Sequence, residues 1–188
     1  MRVAVYLGSH DGNRPVYRQT AYELGYRLAL AGIGVVYGGA GIGTMEALAD
    51  GVAAAGGECT GVFPEGFKGR PDVAAAGIDI RQCVLTTDII VRDFPERKKE
   101  MERLSDCCIA LPGSWGTLDE LFTYATDTQL GFNGGKRVFV LNLDGYYDSL
   151  ITLIRNMYEE GFIDASSLDL ITFVTSVDEF LSILSKLA

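Results

Sequence analysis

Two stretches of the sequence put charge in an unusual setting. The first, FPERKKEMERLSD (Phe94 to Asp106), reads as a charged helix in which Phe94, Met101 and Leu104 recur at helical spacing. Arg97 falls on that same apolar stripe, Lys98 flanks it and Lys99 points away. Arginine is rarely buried without a partner. Either it snorkels past the core or forms a structural ion pair, or its planar fork reaches an anionic ligand or a catalytic carboxylate. The second stretch is LPGSWGTLDEL (Leu111 to Leu121). Thr117 and Glu120 have the T-x-x-E spacing of a capping box, in which each side chain satisfies the other's backbone amide. A cap does not need Pro112, Gly113, Ser114 and Gly116 in front of it, however. Those residues would expose backbone amides at a helix N-terminus, where the dipole favours an anion. Leu118, Leu121, Phe122 and Ala125 are expected to form the core stripe of this helix, with Glu120 on roughly the opposite side near Thr117 and Tyr124. Cap and phosphate cradle both fit, and the destination of the Glu120 carboxylate decides between them.

Two other loops share the glycine-rich character. The first apolar run ends in Gly8-Ser9, which lets a ligand approach the backbone and offers a hydroxyl. YGGAGIGTMEA (Tyr37 to Ala47) follows a second run and opens a helix. It is either a tight strand-to-helix turn or a mononucleotide loop with its amides aimed at a phosphate. The dinucleotide fingerprint G-x-G-x-x-G fails, because its third glycine would fall on Thr44 or Glu46, and no Gly-Lys-Ser/Thr ending marks a P-loop.

The elements that must position these residues alternate along the chain. Strands are expected at Arg2–Gly8, Gly34–Gly39, Glu58–Pro64, Cys107–Gly113, Lys136–Asn142 and Leu170–Val174. Helices are expected at Pro15–Gly32, Thr44–Gly57, Phe94–Asp106, Thr117–Gly131, Tyr146–Gly161 and from Ser176 onward. The closing helix carries its own capping-box spacing, Ser176 to Glu179. Residues 65–80 are looser, and a further extended segment is expected around Ile80 to Leu85. Continuously apolar strands alternating with helices predict one Rossmann-like, doubly wound α/β domain over residues 1–188, with a mainly parallel sheet and helices on both faces. Ligands of such sheets bind beyond the carboxyl ends of the strands, which is where the loops after Leu7, Tyr37 and Leu111 fall.

Composition narrows the partners. The 188 residues suit a single domain with a substantial core. A net charge of −9 argues against a nucleic-acid polymer, whose binding rests on many Lys and Arg contacts, while leaving room for a small anion at a locally positive site. Cys59, Cys83, Cys107 and Cys108 form no C-x-x-C pair and His10 is the only histidine, so no metal site is expected. Free cysteines, no secretory leader and no apolar run of about 18 residues predict a cytoplasmic protein with no membrane contact.

Taken together, Gly8-Ser9 with Pro15-x-Tyr17, Tyr37-Gly38-Gly39, Arg97-Lys98-x-x-Met101 and Pro112-Gly113-x-x-Gly116-Thr117-x-x-Glu120 resemble the LOG (Lonely Guy) family. These are cytokinin riboside 5′-monophosphate phosphoribohydrolases, often labelled lysine decarboxylases. The likeness continues through TQLG, LNLDGYYDSL and EEGFI. It implies a homodimer that hydrolyses the N-glycosidic bond of a nucleoside 5′-monophosphate without a cofactor. Arg97 and Glu120 match the family's catalytic pair. Gly8, Ser9, Gly38, Gly39, Lys98, Gly113, Ser114, Trp115, Gly116, Thr117 and Thr126 correspond to its substrate- and phosphate-binding positions. The chain departs from the pattern at Ser114 and Glu46, each standing where the family has glycine, and over residues 65–92, which bear on the preferred base. In loop layout it also resembles molybdenum-cofactor carriers, which bind without turnover.

Overall fold

A computed structural model describes residues 1–66 and 86–187. Their elements run β1 (Arg2–Tyr6), α1 (Pro15–Leu30), β2 (Gly34–Tyr37), α2 (Gly43–Ala54), β3 (Cys59–Pro64), β4 (Thr87–Val91), α3 (Phe94–Leu104), β5 (Cys107–Ala110), α4 (Trp115–Gln129), β6 (Arg137–Leu141), α5 (Asp148–Glu159), α6 (Ala165–Leu168), β7 (Ile171–Val174) and α7 (Val177–Leu184). All seven strands are parallel, in the order β4-β3-β2-β1-β5-β6-β7. The expected doubly wound α/β fold is the one observed. The strands expected from apolar runs are all present, each of them shorter than anticipated. β4 was not anticipated, and neither was the short α6. β4 is an edge strand, exposed along most of its length, so burial does not impose the apolar run by which the central strands are read. The extended segment expected at Ile80 to Leu85 lies outside the described residues.

The sequence of β1 to β4 builds one half of the sheet outward from β1, and β5 to β7 build the other. Strand order therefore reverses between β1 and β5, whose carboxyl ends open the crevice where such sheets take ligands. The two strands are held in register from Val3 opposite Cys107 to Tyr6 opposite Ala110, and the Leu111 amide still donates to the Tyr6 carbonyl beyond them at 2.9 Å. The β1 and β5 exits are thereby fixed against one another before either loop begins.

Helices cover both faces. Leu24 and Leu28 of α1, Leu48 and Val52 of α2, and Phe180 and Leu184 of α7 close one core. Met101 of α3 and Leu121, Tyr124 and Ala125 of α4 close the other. Side chains alternate across a strand, so the neighbours Cys107 and Cys108 part company, Cys107 to the first core and Cys108 to the second. Burial pushes the Cys107 thiol up to about 12 and the Cys108 thiol well above its ordinary value.

Helices α1 and α2 approach closely because two glycines leave room. A Cβ on Gly25 would lie 2.2 Å from the Leu48 carbonyl oxygen, and one on Gly51 would lie 2.1 Å from that of Tyr22. Alanine at Gly51 would gain about 1 kcal/mol of helix propensity, but backbone must move to admit its methyl. The expected result for Gly51→Ala is a net loss of about 1–3 kcal/mol, read as a lower urea midpoint at unchanged m value.

Candidate active site

Helix α3 begins with a complete cap. The Asp93 carboxylate accepts from the Glu96 amide at 2.9 Å, and the Glu96 carboxylate accepts from the Arg92 amide at 2.7 Å. The helix so fixed carries Arg97 inward one turn later. The Arg97 Nε donates to the Val62 carbonyl, two residues before the carboxyl end of β3 (3.0 Å), and Nη1 donates to Glu120 Oε1 at 2.6 Å. Only 13% of the Arg97 side chain and 10% of that of Glu120 are exposed, so this is a buried ion pair rather than a surface one. Lys99 is exposed, as its position on the helix predicts.

Helix α4 starts earlier than the T-x-x-E pattern implies. Ser114 occupies the N-cap position, without a side-chain cap, and its carbonyl accepts from the Leu118 amide at 3.1 Å. Thr117 is therefore the third residue of the helix. Its hydroxyl oxygen is buried and has no hydrogen-bond partner among the described residues. The capping box is not formed, because Glu120 turns to Arg97. The expected core stripe is corrected as well: the buried face of α4 comprises Thr117, Glu120, Leu121, Tyr124 and Ala125, whereas Phe122 is 42% exposed. A carboxylate expected on the outer side lies inside because α3 brings it a guanidinium. Burial pushes the Glu120 carboxyl above its ordinary value, and the Arg97 guanidinium pulls against that rise.

The glycine loops meet around these residues. A Cβ on Gly38 would stand 2.0 Å from an Arg97 guanidinium nitrogen, and one on Gly39 2.2 Å from the Phe63 ring. Both glycines were expected against a ligand, but here they make room for protein side chains, Gly39 in the left-handed region at φ 75°. Gly8, Ser9, Gly113 and Ser114 line a cleft of about 270 Å³ at the β1/β5 crevice, with His10, Asp11, Tyr17, Thr44 and Tyr146. Gly113 packs on Thr117, where a Cβ would lie 2.1 Å from the hydroxyl oxygen. One turn of α4 thus joins the cleft wall to Glu120. The amides of Trp115, Gly116 and Thr117 belong to the first turn, which a helix cannot satisfy internally. Apart from its chain neighbours and its own helix's backbone, no atom of the described residues stands within 4 Å of where a Gly116 Cβ would be.

Three expected contacts lie elsewhere. The Lys98 ammonium donates to both oxygens of Asp119 (2.8 and 2.9 Å) and to the Thr123 hydroxyl at 3.0 Å. Trp115 is 87% exposed. Thr126 lines a separate apolar groove between α4 and α5, with Phe122, Leu150 and Leu153. Glu46, which stands where the family has glycine, pairs with Arg18 at 2.6 Å.

From the sequence, Tyr17, Thr44 and Tyr146 were given no place in the site, although all three line the cleft. The Tyr146 hydroxyl donates to the Gly113 carbonyl at 2.6 Å, its ring meets Tyr17 edge-on, and Arg14 pairs with Asp144 just before it. The Thr44 hydroxyl donates to the Gly8 carbonyl at 2.8 Å. The signal for Tyr146 was its place just after β6, whose carboxyl end faces the same crevice. Among the described residues, no group of three or more His, Cys, Asp or Glu is placed to hold a metal ion, and no helix is long and apolar enough to cross a membrane.

A family profile described as "Possible lysine decarboxylase" matches residues 45–184. The chain is 38% identical over 186 residues to a probable cytokinin riboside 5′-monophosphate phosphoribohydrolase of Oryza sativa subsp. japonica, covering 98% of this chain and 83% of the relative. It is 37% identical over 185 residues to a cytokinin riboside 5′-monophosphate phosphoribohydrolase of Arabidopsis thaliana, covering 98% and 82%. The chain belongs to the LOG family. Among solved structures, this LOG-family chain resembles the molybdenum cofactor binding protein of Rippkaea orientalis, with a TM-score of 0.70, 21% identity and coverage of 99% and 96%. The molybdenum cofactor carrier protein of Chlamydomonas reinhardtii gives a TM-score of 0.68 at 19% identity, also covering 99% and 96%. At these identities the likeness is one of fold.

The Gly38 contact isolates the ion pair experimentally. Gly38→Ala should displace the guanidinium from Glu120 while leaving the sheet intact. A folded protein by circular dichroism, with substrate turnover reduced more than tenfold, is the expected outcome for a group whose geometry is lost. Arg97→Ala should cost more stability, about 3–5 kcal/mol, because it leaves Glu120 buried and unpaired.

Proposed function

We propose that the protein hydrolyses the N-glycosidic bond of a nucleoside 5′-monophosphate, releasing a free base and ribose 5-phosphate. The observation that carries this reading is the buried Arg97–Glu120 pair, one helical turn from an amide-rich helix N-terminus. Bond breaking leaves oxocarbenium character on the ribose, for which a nearby carboxylate is the natural counter-charge. Glu120 stabilises that charge and takes a proton from the attacking water. Arg97 fixes the carboxylate and keeps it ionised despite its burial. The first-turn amides of α4, that of Thr117 included, with Ser9 and Ser114, hold the 5′-phosphate and thereby set the ribose. Water adds at the anomeric carbon, and the base leaves with the bonding electrons and a proton. No cofactor enters this scheme.

A carrier that binds without turnover is the alternative on this fold. The buried pair weighs against it, since burying two charges is costly and a binding cradle built of backbone amides does not need them. The LOG relatives, at 37–38% identity, are phosphoribohydrolases by name, and N6-modified adenosine monophosphate is the substrate to try beside AMP. Chromatography after incubation with each should reveal free base. Glu120→Gln should reduce release at least a hundredfold, while full release by that variant would overturn the assignment. The ionised carboxylate is the active form, so activity should fall as pH is lowered. Because burial raises its pKa, the fall should come above the ordinary glutamate value of about 4.3.

The same reading includes a homodimer. Helix α5 has no buried residue, although Leu150, Leu153, Ile154 and Met157 line the apolar groove beside α4, and Phe162 just beyond it is 82% exposed. An apolar face of this kind calls for a partner, and a second copy of the chain is the partner the family resemblance implies. Within one chain Thr126 does not reach the cleft, so its expected substrate contact requires the cleft of that second copy. Light scattering on the eluting protein should give twice the chain mass. Phe162→Asp with Leu153→Asp should give the monomer mass, and an unchanged dimer would remove this face from consideration.

A further inference from the structure

The cleft assigned above to a phosphate contains one feature that works against an anion. Asp11 is the only carboxylate among the described residues that line it. Its Oδ1 accepts from Nη1 of Arg18 at 3.0 Å, on the side of a second, outer groove between α1 and α2 that Asp11 and Arg18 both line. The same guanidinium donates to the Gly43 carbonyl at 3.0 Å and, through Nη2, to Glu46 at 2.6 Å. One side chain thus ties the loop after β1 to the first turn of α2.

These two segments already touch beneath it. Gly43 has φ 55°, and a Cβ there would stand 2.6 Å from backbone atoms of Ser9 and His10. Thr44 holds the Gly8 carbonyl. The backbone contact seats the loop, but none of these bonds controls the direction of the Asp11 carboxylate. Only Arg18 does so among the contacts described. Glu46, which stands where the family pattern has glycine, makes the shortest of the three bonds to Arg18 and fixes the guanidinium from the opposite side.

We propose that Arg18 is a positioning residue for anion binding, held by Glu46, which pairs the Asp11 carboxylate on the outer-groove side so that the phosphate-bearing substrate meets amides and hydroxyls rather than a free negative charge. Arg18 acts through Asp11 and the loop, without touching the substrate. The inference rests on the reading of the cleft as a phosphate site, though not on hydrolysis taking place there. It also gives the departure at Glu46 a use: a glycine there could not anchor the guanidinium.

The test compares the full-length protein with Arg18→Ala, Arg18→Lys and Arg18→Ala/Asp11→Asn. Ribose 5-phosphate and AMP binding are read by titration calorimetry, and KM and kcat for AMP are read separately. A freed carboxylate a few ångströms from a phosphate should weaken both ligands about tenfold in Arg18→Ala. It should raise KM by a like factor while kcat changes by less than about twofold. Binding of unphosphorylated adenosine should not change. Arg18→Lys should lie between wild type and Arg18→Ala. Removing the carboxylate in the Arg18→Ala/Asp11→Asn variant should restore ribose 5-phosphate binding, a rescue that a purely structural role of Arg18 would not produce.

Unweakened binding by Arg18→Ala overturns the inference, as does a loss that Asp11→Asn fails to restore. A protein that binds ribose 5-phosphate with this dependence on Arg18, yet releases no base from AMP or N6-modified AMP, would sustain the role of Arg18 and refute the hydrolase. Absence of any binding of ribose 5-phosphate or AMP to the wild-type protein would overturn both.

Discussion

The Arg97–Glu120 pair is the constraint around which the rest of the site is arranged. Two charges at 2.6 Å, each nearly closed off from solvent, hold only if their remaining bonding capacity is met and nothing intrudes. Val62 supplies a carbonyl from within β3, Gly38 supplies space just beyond β2, and the α3 cap sets the helix that carries the arginine. Two strands and two helices converge there. A parallel sheet whose order reverses between β1 and β5 gathers strand ends on one edge, so the fold and the site have one geometric origin.

The pair also explains the start of α4. Had Glu120 folded back on its own helix, its carboxylate would have taken the Thr117 amide, one of those the first turn now leaves free. The closing helix shows the ordinary use of the same spacing: Ser176 accepts from the Glu179 amide at 3.2 Å, and Glu179 returns to the Thr175 amide at 2.8 Å. One four-residue pattern thus has two outcomes. What separates them is a guanidinium 23 positions away in sequence, which no local pattern carries.

That contrast marks how far the sequence could be read. The central strands and the long helices are legible because burial on both faces demands apolar runs and helical spacing. Arg97 was legible as an oddity on the expected apolar stripe of its own helix, although of that stripe Met101 is buried while Phe94 is 52% exposed. The inward face of α4 was not, since a stripe drawn from Leu118, Leu121, Phe122 and Ala125 treats any carboxylate as outward. β4 escaped because its apolar part, Ile89 to Val91, is short and runs directly into Arg92 and Asp93, and an exposed edge strand needs no longer one. The roles of Tyr146 and Arg18 depend on loops brought together across the crevice, which spacing along the chain does not encode.

The adjacent cysteines of β5 have a consequence of their own. The sheet passes between them, so Cys107 and Cys108 are consecutive in the chain yet sealed beneath different helical layers. Their raised thiol pKa values keep both in the unreactive protonated form while those layers are in place. Each thiol is thus an internal tell-tale for one side of the molecule. Were α1, α2 and α7 to peel away while α3 and α4 stayed docked, a thiol reagent would find the first sulfur and not the second. A single dipeptide would then record which half of the protein had opened.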